Sequence, residues 1–424
     1  MPDHSPPTTL PHRAAQSLVM SPLAISHFTL SNALGFGKAA TLKALQERRS
    51  GLTPCDFLDV TLDTYIGRTA NLENQPVVDH LKAFDCRNNR LAQAALRQDG
   101  FEQAVQAAKA RYGADRVAVI VGTSTSGILH TELAFRERDP ATGALPSPLH
   151  YRETHELSSA PEFVRQYFGL TGPVLSISTA CSSSAKVFAS GWRMLQTGLC
   201  DAVLVGGVDS LCLTTLYGFS SLELVANEPC RPADTHRGGI SIGEAAGFAL
   251  LERREHAPEA ALGLLGYGES VDAHHMSTPH PEGLGAELAM QHALDRAGLA
   301  ATDIDYINLH GTASRTNDSA EDKAVSRLFG TRVPCSSTKG WTGHTLGAAG
   351  ITEAITGLLC IENDLIPGSL NTRQIDPEFT SRIVLDNETR PVHRVLSNSF
   401  GFGGNNASLI LGRLPARTEG RIDA

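Results

Sequence analysis

The sequence contains no apolar run approaching the roughly 20 residues of a membrane-crossing helix, and it has no excess of positive charge. Its 36 lysines and arginines are outnumbered by 45 aspartates and glutamates, giving a net charge of −9. Nonspecific nucleic-acid binding needs a basic footprint and is set aside; an acidic partner would have to be met by a local basic patch. None of the eight cysteines (Cys55, Cys86, Cys181, Cys200, Cys212, Cys230, Cys335, Cys360) forms a CxxC pair or a Cys/His cluster at zinc spacing. That removes the zinc-ribbon and dithiol motifs. The first twenty residues are polar and proline-rich and lack a secretory apolar core. The chain therefore reads as cytoplasmic, with reduced thiols. Residues 1–23 read as a flexible lead and 415–424 as a flexible tail.

What is abundant is glycine, 39 residues gathered in short clusters, which points to tight turns and close backbone approaches. A hydrophobic share of 41% and a charged share of 19% describe an ordinary globular protein. The length of 424 residues fits two or three domains, or one large two-part body. Buried strand-like runs, among them RVAVIVGTSTSG, DAVLVGGVDS, AAGFALLER, IDYINLHGTAS and RVPCSSTKG, alternate with helical patterns such as GAELAMQHALDRAGL and AAGITEAITGLLCIEN. Continuous Val/Ile/Leu strands between helices predict an α/β protein whose sheets are covered on both sides. VGTSTSG is echoed by HGTAS, and STACSSSAK by STKGWTGHTLGAAG. This predicts two similar halves, 24–258 and 259–414, with the break where REHAPEAAL interrupts the pattern.

Cys181 lies in SISTACSSSAK, a strand running into small residues and then a helix. That outline would put its sulfur at a helix N-terminus, where the dipole favours thiolate over thiol. The plain alternative is a buried cysteine under a serine-rich turn. His310 follows an apolar strand and precedes Gly311, a common way to present a side chain into a cleft. His344 sits among glycines in TGHTLG, five residues after Lys339. With sixteen histidines in the chain, either one alone would be read as a loop histidine. A thiol, two imidazoles and an ammonium together are the parts needed to make carbon–carbon bonds on thioesters.

TACSSSA, HGTAS followed by Asp318 and Glu321, SSTKGWTGHTLGAAG and NSFGFGGNN, in that order, resemble the elongating β-ketoacyl-[acyl carrier protein] synthases. PCRPADTHRGGISIGEAAG and GESVDAHHMSTPHPEG resemble two further signatures of that family, and the likeness runs from about residue 24 to 414. In detail the chain looks closest to the ketosynthases of aryl polyene clusters. The resemblance implies a thiolase-like fold, two halves stacked as five αβαβα layers, and a dimer. It implies that Cys181 takes an acyl group from an acyl carrier protein. His310 and His344 would stabilise the enolate left when malonyl carrier protein loses carbon dioxide, with Lys339 and Glu353 fixing the pair. The N–H groups of Cys181 and Phe402 would form the oxyanion hole, Gly401 and Gly403 would let Phe402 swing as a gate, and Thr312 and Ser314 would bind the phosphopantetheine arm. Phe400 and Thr125 would face the acyl group. No metal or cofactor is implied, and the partners are a carrier protein and either a second copy or a chain-length-factor-like subunit. Housekeeping elongation is the alternative to the polyene role.

Rival readings lack their parts. A thiolase would carry a second cysteine in NSFGFGG, a starter-type synthase would replace His344 by asparagine, and a chain-length factor would lack Cys181. Three positions depart from the family. Ala233 replaces a large aromatic, and Thr125 replaces an aliphatic residue, which suggests a polar channel floor. Leu222-Glu223 stands where a carrier-docking arginine is common, which leaves Arg87, Arg90, Arg136 and Arg138 as candidate substitutes, most of them read as solvated charges.

Overall fold

A computed structural model describes residues 19–257 and 259–414. The expected tail over 415–424 and all but the last five residues of the expected lead lie outside the described residues. Those last residues already belong to the body: Met20 is buried and its N–H donates to the Arg296 carbonyl at 2.7 Å.

Ten strands carry the architecture: β1 (Leu23–Asn32), β2 (Val117–Gly122), β3 (Val174–Ile177), β4 (Ala202–Asp209), β5 (Ala245–Arg253), β6 (Leu262–Val271), β7 (Tyr306–Asn308), β8 (Pro334–Ser336), β9 (Arg394–Gly401) and β10 (Asn405–Arg413). In the first five the order across the sheet is β3-β2-β4-β5-β1, and in the second five it is β8-β7-β9-β10-β6. The parallel and antiparallel pairings match strand for strand. The duplication expected from the echoing motifs is thus a repeated topology. The two fans meet where β1 and β6 pair antiparallel, over a short register of Leu23 with Leu264 and Ala24 with Gly263.

Helices fill three layers around these strands. α1 (Arg87–Leu96), α2 (Phe101–Tyr112) and α3 (Ser159–Phe168) cover the outer face of the first fan. α4 (Ser183–Gln196) lies in the middle, α5 (Leu284–Ala297) and α6 (Arg315–Phe329) cover the outer face of the second fan, and α7 (Ala349–Asn363) joins α4 in the middle. The strands are continuous apolar runs because both faces are covered. In β2, Ala118 and Ile120 pack toward the central helices while Val117, Val119 and Val121 pack toward the outer ones. Every residue of α7 from Ala349 to Ile361 is buried, as a helix hydrophobic all round must be. Gly350 lets α7 approach α4 closely, since a Cβ there would stand 2.4 Å from the Ala185 nitrogen.

The edge strand β3 departs from the expected cover. Leu175 is 44% exposed and Ser176 is also exposed, because among the described residues β3 is the last strand at that end of the sheet. Among the described residues, no helix is long and apolar enough to cross a membrane. All eight cysteines are free, seven buried and Cys55 half-buried.

Candidate active site

Cys181 stands between β3 and α4, two residues before the helix begins. The serines after it fasten that turn. Ser182 Oγ donates to the Thr179 carbonyl at 2.9 Å, Ser183 Oγ accepts from the Thr179 N–H at 2.9 Å, and Ser184 Oγ accepts from the Ile351 N–H of α7 at 2.9 Å. A serine-rich turn and a nucleophile turn are here the same object. Ala180, just before the cysteine, has φ of 52°, a left-handed conformation that costs a non-glycine residue about 1–3 kcal/mol. Ala233, Ala273, Ala313 and Leu346, all in segments around the same cleft, share that conformation.

The second half supplies the imidazoles. His310 follows β7, and its N–H and that of Gly311 both donate to the Glu321 carboxyl at 2.8 Å. His344 is bracketed by the first half: its N–H donates to the Ser241 carbonyl at 2.7 Å, and its own carbonyl accepts from Gly243 at 2.9 Å. The segment 229–247 thus holds His344 in place. His344 Nε2 lies 2.9 Å from Cys181 Sγ, and the two histidine rings meet edge to face with centroids 5.4 Å apart. All three side chains are buried and line one cleft of about 640 Å³.

Lys339 and Glu353 lie behind the histidines, off the cleft wall. The Lys339 ammonium pairs with the Glu353 carboxylate, donates to the His310 carbonyl at 2.5 Å and lies 3.3 Å from His310 Nδ1. A lysine ammonium can only donate, so His310 Nδ1 accepts and its proton sits on Nε2. The Leu346 N–H donates to His344 Nδ1 at 3.3 Å, which assigns the same tautomer to His344. Burial first, then Lys339, holds both imidazoles well below the ordinary histidine range, so both are neutral donors near pH 7.

The Cys181 thiol is pushed up to about 12 by burial; Lys339 opposes this and Glu353 adds to it. The helix N-terminus is where the sequence puts it, but burial outweighs the opposing Lys339 charge and backbone N–H, and the resting sulfur is a thiol. Cys181 and the two rings offer three ligand atoms within 4.8 Å of one another. A metal bound at Nε2 would force a proton onto each Nδ1, against the ammonium of Lys339 and the N–H of Leu346. The site is therefore wired as a pair of hydrogen-bond donors.

With that geometry in view, the comparisons with known proteins agree. A family model for the beta-ketoacyl synthase N-terminal domain matches residues 36–257, and one for the C-terminal domain matches 263–373. The chain belongs to the beta-ketoacyl synthases. It is 41% identical over 262 residues to 3-oxoacyl-[acyl-carrier-protein] synthase 2 of Rhizobium meliloti (strain 1021), covering 58% of this chain and 62% of the relative. It is 30% identical to 3-oxoacyl-[acyl-carrier-protein] synthase 1 of Haemophilus influenzae, over 92% of this chain and 98% of the relative. Among solved structures it resembles the ketosynthase ApeO, in complex with its chain length factor ApeC, from Xenorhabdus doucetiae. There the TM-score is 0.83 and the identity 38%, over 93% of this chain and 98% of that one.

Around the centre of this beta-ketoacyl synthase, Thr312, Ser314, Phe400, Gly401 and Phe402 line the cleft, and Gly403 is exposed beside it. The Thr312 and Ser314 hydroxyls meet at 2.9 Å. Phe400 stands edge-on to His310, and Phe402 packs against Phe219, each with centroids 5.8 Å apart. Gly401 is required by space, since a Cβ would stand 2.6 Å from the Thr179 carbonyl. The sequence did not show what holds this loop. Gly403 donates to the Met276 carbonyl at 2.7 Å, Gly404 accepts from Asp272 at 3.0 Å, and Asn406 donates to the Asp272 carboxylate at 3.2 Å.

Thr125 corrects the expected polar floor. It is buried away from the cleft lining, and its hydroxyl donates to Asp209 at 2.9 Å. The candidate docking arginines are largely committed elsewhere. Arg87 forms a mostly buried pair with Glu244 at 2.5 Å, Arg90 grips Asp85 at 2.6 Å, and Arg136 meets Asp59 at 2.8 Å. Arg138 is exposed. Ala233, with φ of 62°, donates its N–H to Asp318 at 2.9 Å. It also borders a small second pocket behind the His310 loop, lined by Leu309, Gly311, Asp318 and Glu321.

Proposed function

We propose that the chain is a decarboxylating condensing enzyme acting on carrier-bound thioesters. One observation carries this reading: a buried thiol 2.9 Å from an imidazole, with a second imidazole beside it, both rings held as neutral Nε2–H donors. In the first step Cys181 Sγ attacks the acyl thioester carbonyl. The carbon–sulfur bond to pantetheine breaks, and the thiol proton leaves with that sulfur. The backbone N–H groups of Cys181 and Phe402 are the proposed oxyanion donors, each worth roughly 10²–10³ in rate.

A malonyl thioester then enters, its carbonyl oxygen between His310 Nε2–H and His344 Nε2–H. As the bond to the carboxylate breaks, carbon dioxide departs and the electron pair becomes an enolate stabilised by these two donors. The enolate carbon attacks the acyl-Cys181 carbonyl. Collapse expels the Cys181 thiolate, which takes a proton from solvent, and the product is two carbons longer. Loss of carbon dioxide drives the sequence, and no electron is exchanged, so the balance calls for no redox cofactor.

The carrier protein and a second subunit belong to the same proposal. The half-exposed edge at β3, with Leu175 open, supports a partner chain there. The likeness to ApeO with its chain length factor and to the ishigamide ketosynthase/chain length factor favours a chain-length-factor-like subunit and a polyene-type acyl group over housekeeping elongation. The test is to mix the purified protein with acyl carrier thioesters and malonyl carrier protein, alone and with its co-expressed subunit, following intact mass and carbon dioxide. Acylation at Cys181 and a product two carbons longer are expected. No acylation by short saturated, long saturated or conjugated donors would overturn the reading.

A further inference from the structure

Asp209 ends β4 fully buried, and its carboxylate is shared between the two halves of the chain. From the first half it accepts the Thr123 hydroxyl at 2.7 Å, the Ser124 N–H at 2.9 Å and hydroxyl at 2.5 Å, and the Thr125 N–H and hydroxyl at 2.9 Å each. From the second half it accepts the Gly347 N–H at 2.6 Å. Gly347 follows Leu346, whose φ of 54° is in the left-handed region. The Leu346 N–H is the donor that pins His344 Nδ1. The turn 344–347 is thus anchored at one end by Ser241 and Gly243 and at the other by Asp209.

We infer that Asp209 is a positioning residue for the decarboxylation half-reaction: it holds Leu346 in its unfavourable conformation and so fixes His344 as the Nε2–H tautomer. This rests on the proposed condensing activity. Cys181 acylation does not use the Nδ1 contact, so loss of Asp209 acts selectively. An asparagine there would offer one acceptor oxygen and turn an amide N–H toward backbone N–H groups, leaving buried donors opposed.

The experiment compares wild type with Asp209→Asn, alongside Ser124→Ala, whose lost hydroxyl both donates to Asp209 and accepts from Gly347 at 3.1 Å. Acylation of Cys181 is followed by intact mass, and carbon dioxide release from malonyl carrier protein is followed separately. The His344 tautomer is read from ¹⁵N-histidine spectra, its signal identified by its absence in His344→Asn. In Asp209→Asn, acylation is expected within about 3-fold of wild type, with carbon dioxide release down at least roughly 30-fold and an Nδ1–H population appearing. Unchanged carbon dioxide release, or an equal fall in both steps, overturns the inference. If Asp209→Asn does not fold, Ser124→Ala decides it, with a selective fall of about 3–10-fold in carbon dioxide release expected and no selective fall overturning it. A wild type that neither acylates nor decarboxylates would instead sink the proposed activity.

Discussion

The Leu346 N–H lies 3.3 Å from His344 Nδ1, on the far side of the ring from the Cys181 sulfur at 2.9 Å from Nε2. One backbone donor thereby decides which nitrogen faces the substrate. Because burial and Lys339 hold both histidines well below 6.5, malonyl decarboxylation should stay level as pH falls from 8 through 6.5. The sign follows: below 6.5 the unfolded rings take up protons that the folded rings do not, so the folded rings stay neutral while stability falls progressively as pH drops from 6.5 toward their folded values. Initial carbon dioxide release against pH checks this, and an acid limb with its midpoint near 6.5 would contradict it.

The thiol behaves in the opposite sense. With Cys181 pushed up to about 12 by burial, its alkylation by iodoacetamide should keep rising with pH through 9.5. A plateau below pH 8 would mean a resting thiolate and would contradict this prediction.

Glu321 anchors the His310 loop as a buried carboxyl raised to about 7 by desolvation, against the hydrogen bonds from Gly311, Asn398 and His310. A raised folded value means that its contribution to stability is full below 4.5 and declines as pH rises toward 7. The melting temperature of Glu321→Gln relative to wild type should therefore improve between pH 5 and pH 8. A constant difference across that range would refute the assignment.

Lys339 and Glu353 form a buried pair. Removing one partner of such a pair typically costs about 3–5 kcal/mol, while replacing both with apolar residues is near neutral. Lys339→Met should therefore melt well below wild type, and Lys339→Met with Glu353→Met should regain much of the loss without regaining decarboxylation. Denaturant unfolding together with carbon dioxide release tests both halves of that statement.

The motifs around Cys181, His310 and His344 made the fold and the centre legible, because a glycine or serine run after an apolar strand announces a turn that presents a side chain. Contacts between distant segments were not legible. Asp209 in GGVDS looks like the end of a strand, and only the fold brings Gly347 against it. Thr125 looked like a channel floor because sequence gives a position and not the direction of a hydroxyl. Arg87 looked like a surface charge until Glu244 arrived from 157 residues away. The clamp of Met276 and Asp272 on Gly403 and Gly404 joins two loops that no local pattern connects.

The two fans touch through a register of only two residue pairs, Leu23 with Leu264 and Ala24 with Gly263. A seam that short cannot by itself set the relative attitude of two halves; α4 and α7 nested between them do so, together with the bonds from Ser241, Gly243 and Asp209 to the turn at 344–347. Nucleophile and imidazole come from opposite halves, and the sulfur-to-nitrogen separation is in effect a gauge of how tightly those helices nest. Inherited variation at Gly350, where a single methyl would collide with Ala185, would then read out as altered turnover even though the residue touches no substrate. Catalytic fitness in this chain is thus policed from its interior, where the glycine that closes the TGHTLGAAG stretch acts through packing alone.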